Sequence, residues 1–98
     1  MTITTRRPDT RAALAVDDYL TVTTPMGVQV TVYRNAECWR VTALDCYTRR
    51  LRAPENVDNE RSARSLARRW TLELLGNHNA FMVEIRLNGT VNRYAGTV

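Results

Sequence analysis

Arginine is the residue type in this sequence best equipped for chemistry, and that chemistry is the recognition of anions. Arg49-Arg50-Leu51-Arg52 concentrates cations in one short run, and Arg61, Arg64 and Arg68 recur at helical spacing. A guanidinium is a planar fork that pairs bidentately with phosphate or carboxylate and stacks on aromatic rings, whereas lysine acts as a point charge. All 14 basic side chains are arginine and none is lysine. Either every cation makes forked or stacked contacts, or a GC-rich coding sequence avoids lysine codons. Isoleucine (two) and phenylalanine (one) are also scarce, which favours the codon explanation, while seven asparagines oppose it.

Distribution is more informative than the total. Arg34 to Arg69 holds nine arginines against five acids, Glu37, Asp45, Glu55, Asp58 and Glu60, a surplus of four. The remainder has five of each, so the net charge of +4 belongs to the middle of the chain. The expected binding residues are Arg49, Arg50 and Arg52 with Arg61, Arg64 and Arg68, joined by Tyr33, Arg40 and Tyr47 for stacking or groove contacts. The competing explanation is a solvated charged face, because Glu55, Asp58 and Glu60 flank the helical stripe and dilute its field.

Catalytic chemistry finds no such support. The one histidine, His78, follows a helix end, where the helix dipole favours a cation. No serine, cysteine or carboxylate has an evident catalytic partner, and no glycine loop cradles phosphate. Cys38 and Cys46 stand eight apart without the further ligands a zinc site needs, and free thiols are expected. A non-enzymatic protein with no cofactor and no metal is the expectation. No stretch reaches membrane-spanning length, and Met1 to Arg11 lacks the apolar run of a secretory signal, which points to the cytoplasm.

These side chains must be held by elements that a 98-residue chain can build around one core, here a single domain over residues 1–98. Met1 to Pro8 reads as a mobile polar leader and Asp9–Val16 as a short helix capped by Asp9. Tyr19–Thr24 and Val28–Arg34 alternate with the strand period around Pro25-Met26-Gly27. A three-residue loop there pairs Val22 with Val30 and Leu20 with Val32, so the apolar sets match. A two-residue loop at Asn35-Ala36 then sets Val32 against Trp39 and Val30 against Val41. The inner face becomes Leu20, Val22, Val28, Val30, Val32, Trp39, Val41 and Ala43. The outer face becomes Tyr19, Thr21, Thr23, Gln29, Thr31, Tyr33, Cys38, Arg40 and Thr42, a polar surface of the kind that can also serve as a protein contact. A fourth strand is expected at Arg49–Ala53, stopped by Pro54.

Asn56 or Asp58 is expected to cap a helix, Asp58–Leu75, ended by Gly76-Asn77. Ala63, Leu66, Ala67, Trp70 and Leu74 share one arc of it, and Leu72 and Leu75 fall outside that arc. Asn88-Gly89 between Phe81–Leu87 and Thr90–Ala95 is a type I′ hairpin signal that sets Glu84 against Arg93. The predicted fold is α+β: an antiparallel β-meander on one amphipathic helix, with a C-terminal β-hairpin that extends or flanks the sheet.

The segment Trp39-Arg40-Val41, Thr48-Arg49-Arg50 and Ala63-Arg64-Ser65-Leu66-Ala67-Arg68-Arg69-Trp70 resembles integrase arm-binding and AP2-type DNA-binding domains over Val28 to Leu75. That resemblance implies a sheet entering the major groove, with Arg40, Arg49, Arg50 and Arg52 at the DNA. In length, arginine bias and absence of motifs the chain also resembles, in type, small accessory proteins of phages of high-GC bacteria, including anti-CRISPR proteins. This second resemblance implies stoichiometric inhibition of a host protein in the bacterial cytoplasm. Contact with a host protein is the preferred expectation, nucleic-acid binding the alternative, and an edge strand or the hairpin offers a route to a homodimer.

Overall fold

The computed structural model describes residues 2–4, 14–35 and 38–98. The elements are β1 (Thr2–Thr4), β2 (Tyr19–Thr23), β3 (Gln29–Asn35), β4 (Cys38–Leu44), β5 (Glu55–Val57), α1 (Glu60–Leu74), β6 (Ala80–Leu87) and β7 (Thr90–Thr97). Among the described residues all seven strands join one sheet in the order β1-β7-β6-β2-β3-β4-β5. Every pairing is antiparallel except β1 with β7. The fold is α+β, a meander backed by one helix with the C-terminal hairpin built into the sheet.

The β2–β3 hairpin has the expected register, with Leu20 opposite Val32 and Val22 opposite Val30. Gly27 makes its turn possible in two ways. Its φ is +86°, and a Cβ there would stand 2.9 Å from Cβ of Cys46. The β3–β4 hairpin departs from expectation by two residues: Asn35 pairs with Cys38, Val32 with Val41 and Val30 with Ala43. A slip of two preserves side-chain parity, so the same residues stay inside, and the apolar pattern has no power to choose between the two registers.

The fourth strand also lies elsewhere. Arg50 makes one bridge to Leu44 and the Leu51 amide donates to the Ala43 carbonyl, the chain then leaves the ladder, and pairing resumes beyond Pro54, where Val57 meets Trp39 and Glu55 meets Val41. Proline has no N–H for the ladder, so it sits in the unpaired stretch and the edge strand forms after it. Because Asn56 is committed to that strand, the helix cap is Asn59, which is extended (φ −144°, ψ 160°) and accepts from the Ser62 amide at 2.8 Å. Helix α1 is thus Glu60–Leu74, shorter than Asp58–Leu75, and Gly76 at φ +66° ends it.

Helix α1 packs on the inner faces of β3, β4 and β5. Ala63, Leu66, Ala67 and Trp70 enter a core with Val30, Val32, Val41, Ala43 and Ile85, and Trp39 packs against it. Leu74 packs against this core, Leu75 is buried, and Leu72 is exposed. The C-terminal hairpin has Asn88 and Gly89 at φ +54° and +81°, as a type I′ turn requires, and Glu84 faces Arg93. Its strand β6 pairs with β2, which brings Ile85 against Leu20 and into the core.

Two N-terminal expectations need correction. Thr2–Thr4, assigned to a leader, is a strand parallel to β7 (Thr2 with Thr90, Thr4 with Asn92); a β-branched Thr-Ile-Thr segment suits an otherwise open sheet edge. The helix expected at Asp9–Val16 falls mostly outside the described residues, but at its end the chain turns at Val16 and Asp17 instead of continuing as helix. Asp17 is at φ +71°, and buried Asp18 accepts from the Ala15 amide (2.9 Å) and the Asn88 amide (3.0 Å), tying this turn to the distant hairpin.

Candidate functional site

Strand pairing writes one row across the sheet face turned away from α1. Arg86 on β6 stands opposite Tyr19 on β2, Tyr19 opposite Tyr33 on β3, and Tyr33 opposite Arg40 on β4. The four residues therefore span three interstrand steps, about 14 Å at the usual 4.7–4.9 Å spacing. A parallel row carries Arg93, Glu84, Thr21, Thr31 and Thr42.

The second row fixes part of the first. Tyr19 donates its hydroxyl to Oε2 of Glu84 at 2.6 Å, and Nε of Arg93 donates to Oε1 at 2.6 Å. Thr21 and Thr31 join through their hydroxyls at 3.0 Å. The Tyr19 hydrogen bond, supported by Arg93, holds Glu84 below the ordinary carboxylate value against the opposing effect of burial. Burial, then the hydrogen bond to Glu84 and its charge, push the Tyr19 phenol up. Glu84 is thereby neutralised by Arg93 and occupied by Tyr19. Arg40 and Arg86 have no acid partner among the described residues, and their enclosed Nε atoms lack an acceptor.

Tyr33 lies between two shallow depressions and lines both. One, of about 570 Å³, runs over Tyr19, Thr21, Gln29, Thr31 and Glu84. The other, of about 300 Å³, includes Arg40, Thr42, Leu44, Arg50, Arg52 and Pro54. Together they form a track over the middle of the open face.

The expected site residues do not form one surface. Tyr33, Arg40 and Arg50 belong to this track. Arg52 touches its margin but reaches toward the helix, pairing with Glu73 at 3.0 Å and stacking 5.5 Å from the Trp70 ring. Arg49 serves its own turn: Asp45 accepts from the Tyr47 and Arg49 amides (2.8 and 2.9 Å) and from Arg49 Nε (3.2 Å), and the guanidinium stacks on exposed Tyr47 at 5.3 Å. The Arg49 amide first, then the Tyr47 amide and the Arg49 charge, lower the Asp45 carboxyl. Arg61, Arg64 and Arg68 lie on α1, behind the sheet, so the two arginine groups cannot grip one phosphate chain from one side. Arg64 pairs with Glu60 at 3.0 Å, as the i,i+4 spacing implies, and Arg64 and Arg68 border an apolar groove of about 240 Å³ lined by Leu20, Val22, Leu72 and Phe81.

Tyr19 and Arg86 complete the row and were not among the expected site residues. Tyr19 reaches Tyr33 through the expected β2–β3 register, whereas Arg86 enters through the β2–β6 pairing, which sets it opposite a residue more than 60 positions away and leaves no local trace in the sequence. His78 is exposed, Cys38 and Cys46 are free thiols, and no group of three or more His, Cys, Asp or Glu side chains could hold a metal among the described residues. No helix among them is long and apolar enough to cross a membrane. No protein-family model, curated protein or solved structure matches the chain.

Proposed function

We propose that this chain is a non-enzymatic binding protein whose open sheet face takes nucleic acid. The Arg86–Tyr19–Tyr33–Arg40 row is the observation that carries this reading. Two guanidiniums without acid partners among the described residues flank two aromatic rings. Of the carboxylates lining the first depression, Glu84 is paired with Arg93 and Tyr19, and Asp17 and Asp18 stand at its margin together with Arg34. Phosphates suit the first and bases the second. The face is otherwise threonine-rich, and its described large aliphatic side chains are Met82, Leu44 and Val91, the last buried beside Arg86, sparse for the apolar centre of a protein interface. The test is an electrophoretic mobility shift repeated over a salt series. Binding that weakens steeply with salt is expected, and no shift at low salt overturns the reading.

A second reading, stoichiometric inhibition of a host protein by a phage accessory protein, draws on a different surface. Contact between Gly27 and Cys46 brings the exposed Met26 and Tyr47 loops to one end of the sheet, an apolar and aromatic tip of the kind that anchors protein contacts. Capture of a host protein that survives nuclease treatment, and is lost in a Met26→Ser/Tyr47→Ser variant, would favour it. Either activity belongs in a reducing bacterial cytoplasm, where free thiols persist.

A further inference from the structure

We infer that the open face takes single-stranded nucleic acid in preference to duplex, with bases stacked on Tyr19 and Tyr33 and the backbone held by Arg40 and Arg86. The inference rests on the nucleic-acid reading above and narrows it. Its first ground is width. The row lies on β6, β2, β3 and β4, with β7 and β1 beyond one end and β5 beyond the other. Seven strands span about 29 Å at the usual spacing, whereas the major groove of B-DNA is about 12 Å wide and admits a helix or a two-stranded ribbon. The middle of this sheet therefore cannot enter the major groove of undistorted B-DNA to reach base edges. Bases must come to it, and a single strand can splay them outward.

The second ground is the arrangement of the rings. Tyr19 and Tyr33 are direct cross-strand neighbours, so their Cβ atoms stand about 5 Å apart, close enough for successive bases to occupy them. Tyr19 is tethered by its hydroxyl to Glu84, which fixes the ring before any ligand arrives. Tyr33 separates the two depressions, and a chain following them passes over both rings, with Arg40 lining the second depression and Arg86 beside Tyr19 in the row. Stacking accepts any base and the guanidiniums accept any phosphate, so the recognised class is single-stranded nucleic acid with little sequence preference.

The experiment is fluorescence anisotropy on the full chain with a labelled oligothymidylate of about 12 nucleotides, within the usual site sizes of single-strand binders. A duplex with the same number of phosphates is the comparison. Tighter binding of the single strand is expected. Tyr33→Ala should weaken it by roughly 5- to 150-fold, the effect of removing one stacked base, while Tyr33→Phe should retain it. Far-UV circular dichroism of the variants checks that the sheet persists, and Tyr33→Leu, which keeps apolar bulk without a π-face, keeps the test valid if Tyr33→Ala unfolds, with a loss of the same size expected. Preference for the duplex overturns this inference and leaves the broader nucleic-acid reading standing. Single-strand binding indifferent to Tyr33→Ala or to Tyr33→Leu overturns it as well. Binding to neither overturns both.

Discussion

Glu84 accepts from a phenol and a guanidinium at once, and this makes the open face sensitive to pH at both extremes. Its folded pKa lies below the ordinary 4.5, so the stabilisation is fully present above that value and disappears as pH falls through the lower folded value. Tyr19 has the opposite sign: raised above 10.0, its contribution is full below that value and is lost as pH rises through the folded value. Denaturant unfolding as a function of pH should show Glu84→Gln with a flatter acid limb than the parent; identical acid limbs would mean the pair carries no linkage. A second single-residue prediction concerns Gly96, which stands opposite Phe81 at an ordinary negative φ, so conformational freedom is not its role. A Cβ at this position would overlap the Phe81 ring, which lies over the glycine. Gly96→Val should destabilise by about 1–3 kcal/mol through overpacking, measured by urea unfolding, and Phe81→Ala in the same chain should recover part of the loss at position 96.

Helix α1 is the element that holds the sheet in shape, and its contributions separate into cap and core. Asn59→Ala removes the acceptor for the Ser62 amide and should cost about 1 kcal/mol. Trp70→Ala removes the side chain that both fills the core and carries Arg52 on its face, and should cost about 3–5 kcal/mol. Thermal melts of the two variants should rank in that order, and a Trp70→Ala chain melting with the parent would contradict the packing described. Elements of this kind were legible because local rules define them. The Ala63–Trp70 arc, the Asn88-Gly89 turn and the Gly27 loop each follow from a period or a positive φ. What escaped was decided by competition between equally good local answers. Asn56, Asp58 and Asn59 are all competent caps, and pairing of β5 with β4 removed the first from contention. Valines at alternate positions fit β3 to β4 in two registers of the same parity, and the structure takes the one that sets Tyr33 beside Arg40.

At the scale of the whole molecule, the sheet is a wall with different chemistry on its two sides. Half of the candidate site was readable as an outer face containing Tyr19, Tyr33 and Arg40. The other half, Arg86 with Glu84 and Arg93, arrives through a pairing between the first hairpin and the last, and alternation along either strand says nothing about which edges meet. The same wall divides the arginines, with Arg40 and Arg86 on the open face and Arg61 and Arg68 on the exposed side of α1. This division permits a test that overall charge cannot imitate. Arg40→Gln/Arg86→Gln and Arg61→Gln/Arg68→Gln each remove two positive charges, taking the net charge from +4 to +2. If nucleic acid is drawn by the general field of a basic protein, the two double variants should weaken binding equally. If it is held on the open face, the first should also lower the slope of log K against log salt by about 0.7 for each phosphate left unneutralised, or roughly 1.4 in all. The second should leave that slope unchanged, because at about 0.1 M salt the screening length is near 10 Å and charges behind the sheet contribute little to binding in front of it. Equal slopes in the two variants would reject the open face as the binding surface, and a slope reduced in the helix variant alone would move the site to α1.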